Sequence, residues 1–235
     1  MTRPILASCL LAAALPVAAG GFSNLGALTQ GEFRSLSADL GAAASYKGVT
    51  PATPLGLVGF DIGLEASATD VRHGELFRRA GNSDPDYLLV PKLHIYKGLP
   101  LGFDIGAFVG GMSNVNATLY GLDLRYALLE DSGATPALAL RASGTRASDA
   151  GGIDLKTYGV DLMVSKRLAI VTPYLGVGRV RVKSSADGAA LAGETFDKSR
   201  FFGGVNLNFA IVNLAIEAEK LGDNTTVSAK AGWRF

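Results

Sequence analysis

Beyond about residue 55, apolar and polar side chains alternate along the chain, and Gly, Asp, Ser and Pro interrupt the alternation at intervals. Successive side chains of a β-strand point to opposite faces, so a period of two predicts strands rather than helices. The pattern predicts about ten strands, within a range of about eight to twelve. They lie near residues 56–68, 86–96, 100–112, 115–129, 135–146, 154–166, 170–184, 196–210, 212–221 and 224–235.

The composition indicates how these strands are arranged. Hydrophobic residues make up 48% of the chain, yet no stretch beyond residue 20 approaches the roughly 18 uninterrupted apolar residues of a membrane helix. Lipid offers no partners to free backbone amides, so a membrane protein without such helices needs a closed barrel. We therefore predict an all-β fold, an antiparallel transmembrane up-and-down β-barrel, with a short N-terminal helix.

The alternation also assigns faces to the strands. Val58, Phe60, Ile62 and Leu64 form an apolar row whose intervening residues are glycine or acidic. We interpret the apolar rows as facing lipid and the polar rows as facing the lumen, although a soluble β-sandwich would reverse the two faces with the same periodicity. Charged residues of the polar rows are predicted to line the lumen: Asp61, Glu65, Asp104, Asp123, Arg125, Arg141, Asp161, Glu217 and Lys230.

The last strand ends on an aromatic residue. Apolar side chains from Val227 to Trp233 and Phe235 alternate with small or charged ones. This strand resembles the last strand of bacterial outer-membrane β-barrels, a family in which a terminal Phe belongs to an assembly signal. The resemblance implies that Trp233 and Phe235 form this signal and that the barrel assembly machinery and outer-membrane lipid are partners.

Residues 1–19 have the layout of a cleavable signal peptide, with an early Arg3, an apolar stretch and small residues up to Ala19. Leu6 to Cys9 also looks like a lipoprotein acylation box, which leaves lipidation as an alternative. Together with the last strand, this segment favours the lipid-facing interpretation of the apolar rows. The two ends of the chain together predict export through the secretory pathway to the outer membrane of a Gram-negative bacterium.

Residues 20–54 form a segment that a barrel of residues 55–235 does not need. Thr29 and Glu32 have the spacing of a capping box, and apolar residues recur at helical spacing, so a helix is predicted near 29–40. The helix is either a periplasmic element resting on the barrel rim or a plug folded into the lumen. The second arrangement resembles the N-terminal plug of the long-chain fatty acid transporter family, without a shared motif from which binding residues could be assigned.

The strand near 170–184 leaves one orientation open. Arg179, Arg181 and Lys183 continue the apolar row of Leu175 and Val177. Either a bulge near Gly176 or Gly178 turns the cations inward, or they lie outside at the level of the lipid headgroups, where a cation costs little.

The chain offers few groups for catalysis. Its two histidines are His73, in a predicted surface loop, and His94, in a predicted strand. No catalytic residue, cofactor or metal site is predicted, and 21 basic against 21 acidic residues after Arg3 give no indication of nucleic acid binding. The predicted function is a narrow or plugged, porin-like channel that transports a small solute, with a small hydrophobic ligand as one option. The alternative is a structural or adhesive barrel that acts through its extracellular loops.

Overall fold

The computed structural model describes residues 20–148 and 150–235. The predicted signal peptide, with Cys9, lies outside the described residues. Two α-helices are present in the described chain, α1 at Gln30–Ala44 and α2 at Gly74–Arg79, together with short 3₁₀ turns at Leu25–Ala27 and Pro100–Gly102. None of the described helices is both long and apolar enough to cross a membrane.

Ten antiparallel strands form a closed barrel, in which every strand pairs with its neighbours in sequence and β1 pairs with β10. The predicted fold class and strand number are thus confirmed. Closure leaves no unpaired sheet edge. The strands are β1 Phe60–Asp70, β2 Tyr87–Gly98, β3 Phe103–Met112, β4 Ala117–Leu129, β5 Ala137–Ser148, β6 Ile153–Ser165, β7 Val171–Ala186, β8 Glu194–Phe209, β9 Val212–Leu221 and β10 Asn224–Arg234.

The largest difference from the predicted strand boundaries is at the start of β1. The sequence predicted a strand from residue 56, whereas β1 begins at Phe60. Gly56 adopts a positive φ of 78°, and the amide of Gly59 donates to its carbonyl oxygen across 3.0 Å. This turn brings the chain into the sheet, so the residues before it cannot extend the strand.

The barrel has two distinct ends. At the lower end, where β1 begins and β10 finishes, the strands are joined by residues 99–102, 130–136, 166–170 and 210–211. At the upper end the described connecting residues are 71–86, 113–116, 150–152, 187–193 and 222–223. The longest connection, 71–86, contains α2 and lies at the upper end.

The exterior is apolar, whereas the interior combines buried charged side chains with an apolar cluster around α1. Along β1, exposed Ile62 and Leu64 alternate with buried Asp61 and Glu65. The same alternation continues around the barrel, and the exposed rows contain large apolar side chains such as Leu122, which is 63% exposed. The arrangement of a soluble sandwich, with the apolar rows inside, is therefore wrong for this chain. An apolar outer wall is typical of a barrel surrounded by lipid.

Helix α1 lies inside the barrel. Thr29 and Glu32 form the predicted capping box, and Phe33, Leu36 and Leu40 have no exposed surface. The helix extends beyond the predicted residue 40 to Ala44 because Gly41 and the alanines that follow it allow close contact with the wall. A Cβ atom on Gly41 would lie 2.7 Å from both Cγ atoms of Val182 in β7.

Residues 20–59, here called the threaded segment, run through the barrel from one end to the other. At the upper end, the carbonyl oxygen of Gly20 accepts from Asn82, and the amide of Phe22 donates to Gly151. At the lower end, the hydroxyls of Thr53 and Ser165 are 3.2 Å apart. Between Ser45 and Val58 the segment pairs with no strand of the described sheet, so side-chain contacts largely position it.

Candidate functional site

The candidate site is the interface between the threaded segment and the inner wall. Near the upper end, Asp39 of α1 has no exposed surface. Its carboxylate accepts hydrogen bonds from the backbone amides of Arg72 and His73, at 3.1 and 2.9 Å, and from the side chain of Asn224 at 2.7 Å. The ring nitrogen Nδ1 of His73 lies 3.2 Å from the same carboxylate. Asp39 therefore joins the helix to both the 71–86 connection and β10.

Charged contacts also hold the first turn of α1. Glu32 forms an ion pair with Arg79 of α2. The hydrogen bond from Arg79, helped by one from the backbone amide of Thr29, lowers the pKa of Glu32 to about 2. Arg34, also in the first turns of α1, contacts Glu194 of β8 at 2.7 Å. The mouth of the barrel is thus closed by ion pairs that water can reach.

The last turn of α1 is capped by a buried lysine. Lys47 folds back so that its ammonium donates to the carbonyl oxygen of Ala42 at 2.6 Å and to the hydroxyl of Ser45 at 2.9 Å. The same group lies 3.5 Å from Glu219 of β9. A cation at the C-terminus of a helix satisfies free carbonyl groups and interacts favourably with the helix dipole.

Tyr46 joins the segment to the opposite side of the wall. Its hydroxyl lies 2.9 Å from that of Tyr96 and 3.2 Å from a carboxylate oxygen of Asp123. Its ring packs against Phe108 with centroids 5.3 Å apart. Its backbone carbonyl accepts a hydrogen bond of 2.9 Å from Arg200.

Two groups of ion pairs cover the inner wall. On β3 to β8, Arg125 contacts Asp104 at 2.6 Å, and both Arg141 and Arg200 contact Asp161 at 2.9 and 3.0 Å. Arg125 also donates to the carbonyl oxygen of Pro51 at 2.6 Å, which ties this group to the threaded segment.

The second group lies on β1, β2 and β10. Lys230 contacts Asp61 at 2.9 Å, and Lys92 contacts Glu65 at 2.5 Å. His94 lies between these pairs, 3.2 Å from Asp61 and 3.8 Å from Glu65. These contacts make His94 part of the ionic network of the wall.

The structure places all nine predicted lumen residues on the inner side of the barrel, where each side chain is buried. Seven of them form ion pairs within the two groups. The remaining two, Asp123 and Glu217, each have a buried carboxylate oxygen that finds no hydrogen-bond partner among the described residues.

Several important residues of the interface were not among the predicted lumen residues. Arg200 and Lys92 could have been found, because each shares the inward parity of its strand. Asp39 and Lys47 lie outside the strands, so the two-residue period carries no information about them.

The lower mouth contains an open cavity of about 290 Å³ between the threaded segment and the barrel rim. Beside it, Phe60 and Phe235 stack with centroids 6.0 Å apart, and each backbone amide donates to the carbonyl oxygen of the other residue. Trp233 and Phe235, the predicted assembly signal, are 60% and 67% exposed on the outer wall. The cavity lining includes Pro51, Thr53, Pro54, Leu55, Arg167 and Arg234.

The structure decides between the two orientations that the sequence left open for the β7 cations. The pairing of β7 with β6 and with β8 is continuous through Gly176 and Gly178, without a bulge. Arg179, Arg181 and Lys183 consequently stay on the outward face and are exposed. Of the two orientations that the sequence left open, the structure shows the external one.

The described residues contain no group of three or more His, Cys, Asp or Glu side chains placed to hold a metal ion. Both histidines contact buried carboxylates that position the polypeptide, Asp39 and Asp61.

No protein-family model and no curated protein matches the chain. Among solved structures, it is similar to an outer membrane channel from Pseudomonas putida F1, with a TM-score of 0.46, 13% identity, and coverage of 81% of this chain and 100% of that one. It is also similar to the KdgM porin in complex with disordered oligogalacturonate, with a TM-score of 0.42, 9% identity, and coverage of 74% and 99%. For Neisserial surface protein A the values are 0.36, 14%, 74% and 95%.

At these values the activity of none of these proteins transfers to the present chain. The similarities also do not show the predicted resemblance of the N-terminal segment to the plug of long-chain fatty acid transporters.

Proposed function

We propose that the protein is an outer-membrane barrel in which the threaded segment closes a polar passage, and that a small solute crosses when the segment moves. The apolar exterior supports a membrane location. Because short connections of such barrels face the periplasm, we assign the lower end to the periplasmic side and the upper end, with the 71–86 connection, to the outside.

The observation that carries this proposal is the charged inner wall behind a segment that is not part of the sheet. Replacing buried ion pairs with packed apolar residues is often neutral or stabilising, so a permanently filled barrel gains little from them. Charges such as Asp61, Asp161 and Arg141 suit a wall that water reaches once the segment is displaced. Below α1 the segment is held mainly by hydrogen bonds and ion pairs, which can be exchanged for contacts with water, whereas α1 also packs on apolar wall residues such as Val182.

The nature of the solute is part of the proposal. The passage is narrow because ten strands enclose both the wall side chains and a helix. A small solute fits this size, and the apolar cluster around Leu36 and Leu40, which is buried in the closed state, would offer a surface for a hydrophobic one once the segment moves. We propose a non-catalytic role, since both histidines are engaged by structural carboxylates.

A reversible lock tests the proposal. The hydroxyls of Ser37 in α1 and Ser184 in β7 are 2.7 Å apart and buried, so the pair S37C/S184C is close enough for a disulfide between segment and wall. Cys9 is the single cysteine of the sequence, and a C9S background removes it. Single-channel conductance in planar bilayers is then recorded before and after reduction.

We expect openings in the reduced S37C/S184C protein and their loss on oxidation. The matched control is S67C/S228C, whose parent hydroxyls are 2.9 Å apart but belong to β1 and β10, both in the wall. Oxidation of this pair should leave conductance unchanged. Equal conductance of the oxidised and reduced S37C/S184C protein would rule out gating by the segment.

The second candidate function is a structural or adhesive barrel. It is favoured by the close packing of the upper end, where Phe22 packs on Phe77 with ring centroids 5.7 Å apart and the guanidinium of Arg34 lies 4.7 Å from the centre of the Phe196 ring. Deletion of residues 22–50 separates the two functions. A plugged channel should become leaky in planar bilayers, whereas a structural barrel that refills its lumen with side chains should stay silent and only lose stability.

A further inference from the structure

Five cations lie close together on the outer wall, at the upper ends of β5, β6 and β7. They are Arg146, Lys156, Arg179, Arg181 and Lys183, here called the cation patch. All occupy the outward parity of their strands. The side chains of Arg146 and Arg181 are 65% and 56% exposed. These cations face outward and do not line the passage inside the barrel.

The register places like charges directly beside one another. Arg146 is the cross-strand partner of Lys156, and Lys156 is the partner of Lys183. Like charges directly opposite each other on adjacent strands are destabilising. These three cations therefore repel one another across β5, β6 and β7, and a bound anion would reduce this repulsion.

Two carboxylates neutralise only part of this charge. Asp154 lies 3.0 Å from Lys156 and 3.9 Å from Arg146, while Asp197 lies 2.7 Å from Arg181. The ammonium of Lys183 lies 5.8 Å from the centre of the Tyr158 ring. The five cations of the patch outnumber its two carboxylates, and Arg179 and Lys183 are the cations best placed to meet a ligand.

The depth of the patch identifies the ligand. A membrane strand crosses the hydrocarbon layer in about 9–11 residues. Counted from Val171, where β7 begins, this distance ends near Arg179 and Arg181. Below them the outward row continues with Leu175 and Val177, which are 63% and 48% exposed. In the membrane orientation proposed above, on which this inference rests, the cations thus lie at the headgroup level of the outer leaflet, directly above a surface for acyl chains.

We propose that the cation patch binds a phosphorylated glycolipid of the outer leaflet. Its phosphate groups would contact Arg179 and Lys183, with Lys156 and Arg146 beside them. Its acyl chains would lie along the apolar row that ends at Val177. The patch occupies only part of the barrel circumference, so the bound lipid would mark one side of the barrel.

The test measures binding of diphosphoryl lipid A to the full chain in dodecyl maltoside micelles, using thermophoresis of labelled protein. The variant R179Q/K183Q removes two patch cations that lack a carboxylate partner among the described residues. The matched control, R78Q/K220Q, removes two cations elsewhere at the upper end. One cation near an anionic lipid surface contributes about a fivefold change in affinity, so the patch variant should bind about ten- to thirtyfold more weakly. The control should bind within about twofold of the wild type.

A dephosphorylated lipid and inorganic phosphate complete the test. We expect no saturable binding of the dephosphorylated lipid and no competition from millimolar inorganic phosphate, because the site requires phosphate and acyl chains together. Equal binding by R179Q/K183Q and R78Q/K220Q would overturn the proposal. Full competition by inorganic phosphate would also overturn it, since the surface would then be a free-anion site rather than a lipid site.

Discussion

The guanidinium of Arg200 in β8 donates a 2.9 Å hydrogen bond to the backbone carbonyl of Tyr46 in the threaded segment. The same group contacts Asp161 at 3.0 Å and Glu219 at 3.1 Å. One arginine without exposed surface thus connects the segment to two wall carboxylates. The buried charge of Arg200 thus fixes the position of the Tyr46 backbone relative to the wall.

Arg200→Leu should strongly destabilise the barrel. The substitution removes one of two positive partners from each of the buried carboxylates Asp161 and Glu219, and loss of one member of a buried ion pair costs about 3–5 kcal/mol. The free energy of unfolding, measured by urea titration in lipid vesicles, should fall by that amount. Arg181→Leu is the control, because its pair with Asp197 is exposed and should change the value by less than about 1 kcal/mol. Similar losses in both variants would show that burial is not the cause.

Gly41→Ala should destabilise the protein although alanine favours helices. The added methyl group would meet Val182 at 2.7 Å, and overpacking of this kind costs about 1–3 kcal/mol. G41A/V182A should recover part of the loss. Gly31, in the first turn of the same helix, has nothing within 4 Å of its Cβ position. Gly31→Ala should therefore be neutral or slightly stabilising, and equal effects at the two glycines would contradict close packing of α1 on β7.

Acid should loosen the upper end of α1. The pKa of Glu32 falls from its ordinary value of 4.5 to about 2 in the folded protein because Arg79 donates to its carboxylate. A lowered pKa means that the stabilisation is complete above pH 4.5 and is lost as the pH falls toward 2. Hydrogen exchange of the first turns of α1 should accelerate across this interval, after correction for the intrinsic pH dependence of exchange.

Glu32→Gln provides the comparison for this pH effect. It removes the titrating group but keeps a side chain that can accept a hydrogen bond, so the difference between wild type and variant isolates Glu32 from other carboxylates. The difference in exchange should be largest above pH 4.5 and vanish near pH 2. A difference that is constant with pH would refute the role of the ion pair.

Asp39→Asn should release the 71–86 connection from the helix. The neutral amide is a weaker acceptor for the amides of Arg72 and His73, and a weakened or unsatisfied buried group costs about 1–3 kcal/mol. Limited trypsin cleavage after Arg78 and Arg79 should become faster. Asp84→Asn is the control, since Asp84 forms an exposed pair with Arg78 at 3.3 Å. If both variants are cleaved at the same rate, Asp39 does not hold the connection.

The barrel wall could be predicted well from the sequence because its physics is local. The period of two follows from strand geometry, so both the number of strands and the burial of residues such as Asp61 could be read directly. Whether Arg179 points outward could not be decided, because a bulge changes the parity without leaving a mark in composition. Only the continuous pairing of β7 settles it.

The path of the threaded segment could not be predicted in the same way. The helix itself was visible in the capping box of Thr29 and Glu32, but residues 45–55 have no repeating pattern, since no sheet imposes one. The contacts of Lys47 with Glu219 and of Tyr46 with Asp123 join residues far apart in sequence. Such contacts depend on the closed barrel, and a single sequence does not reveal them.

The path of residues 20–59 also constrains how the barrel can close. The segment enters at the upper end and joins β1 at the lower end, so the ring of strands encloses a stretch of its own chain. Chains rarely thread through a finished loop, and α1 would have to pass through a completed ring if the barrel closed first. The seam between β1 and β10 is therefore expected to form around the segment, which makes residues 20–59 a template that is present when the last ladder closes.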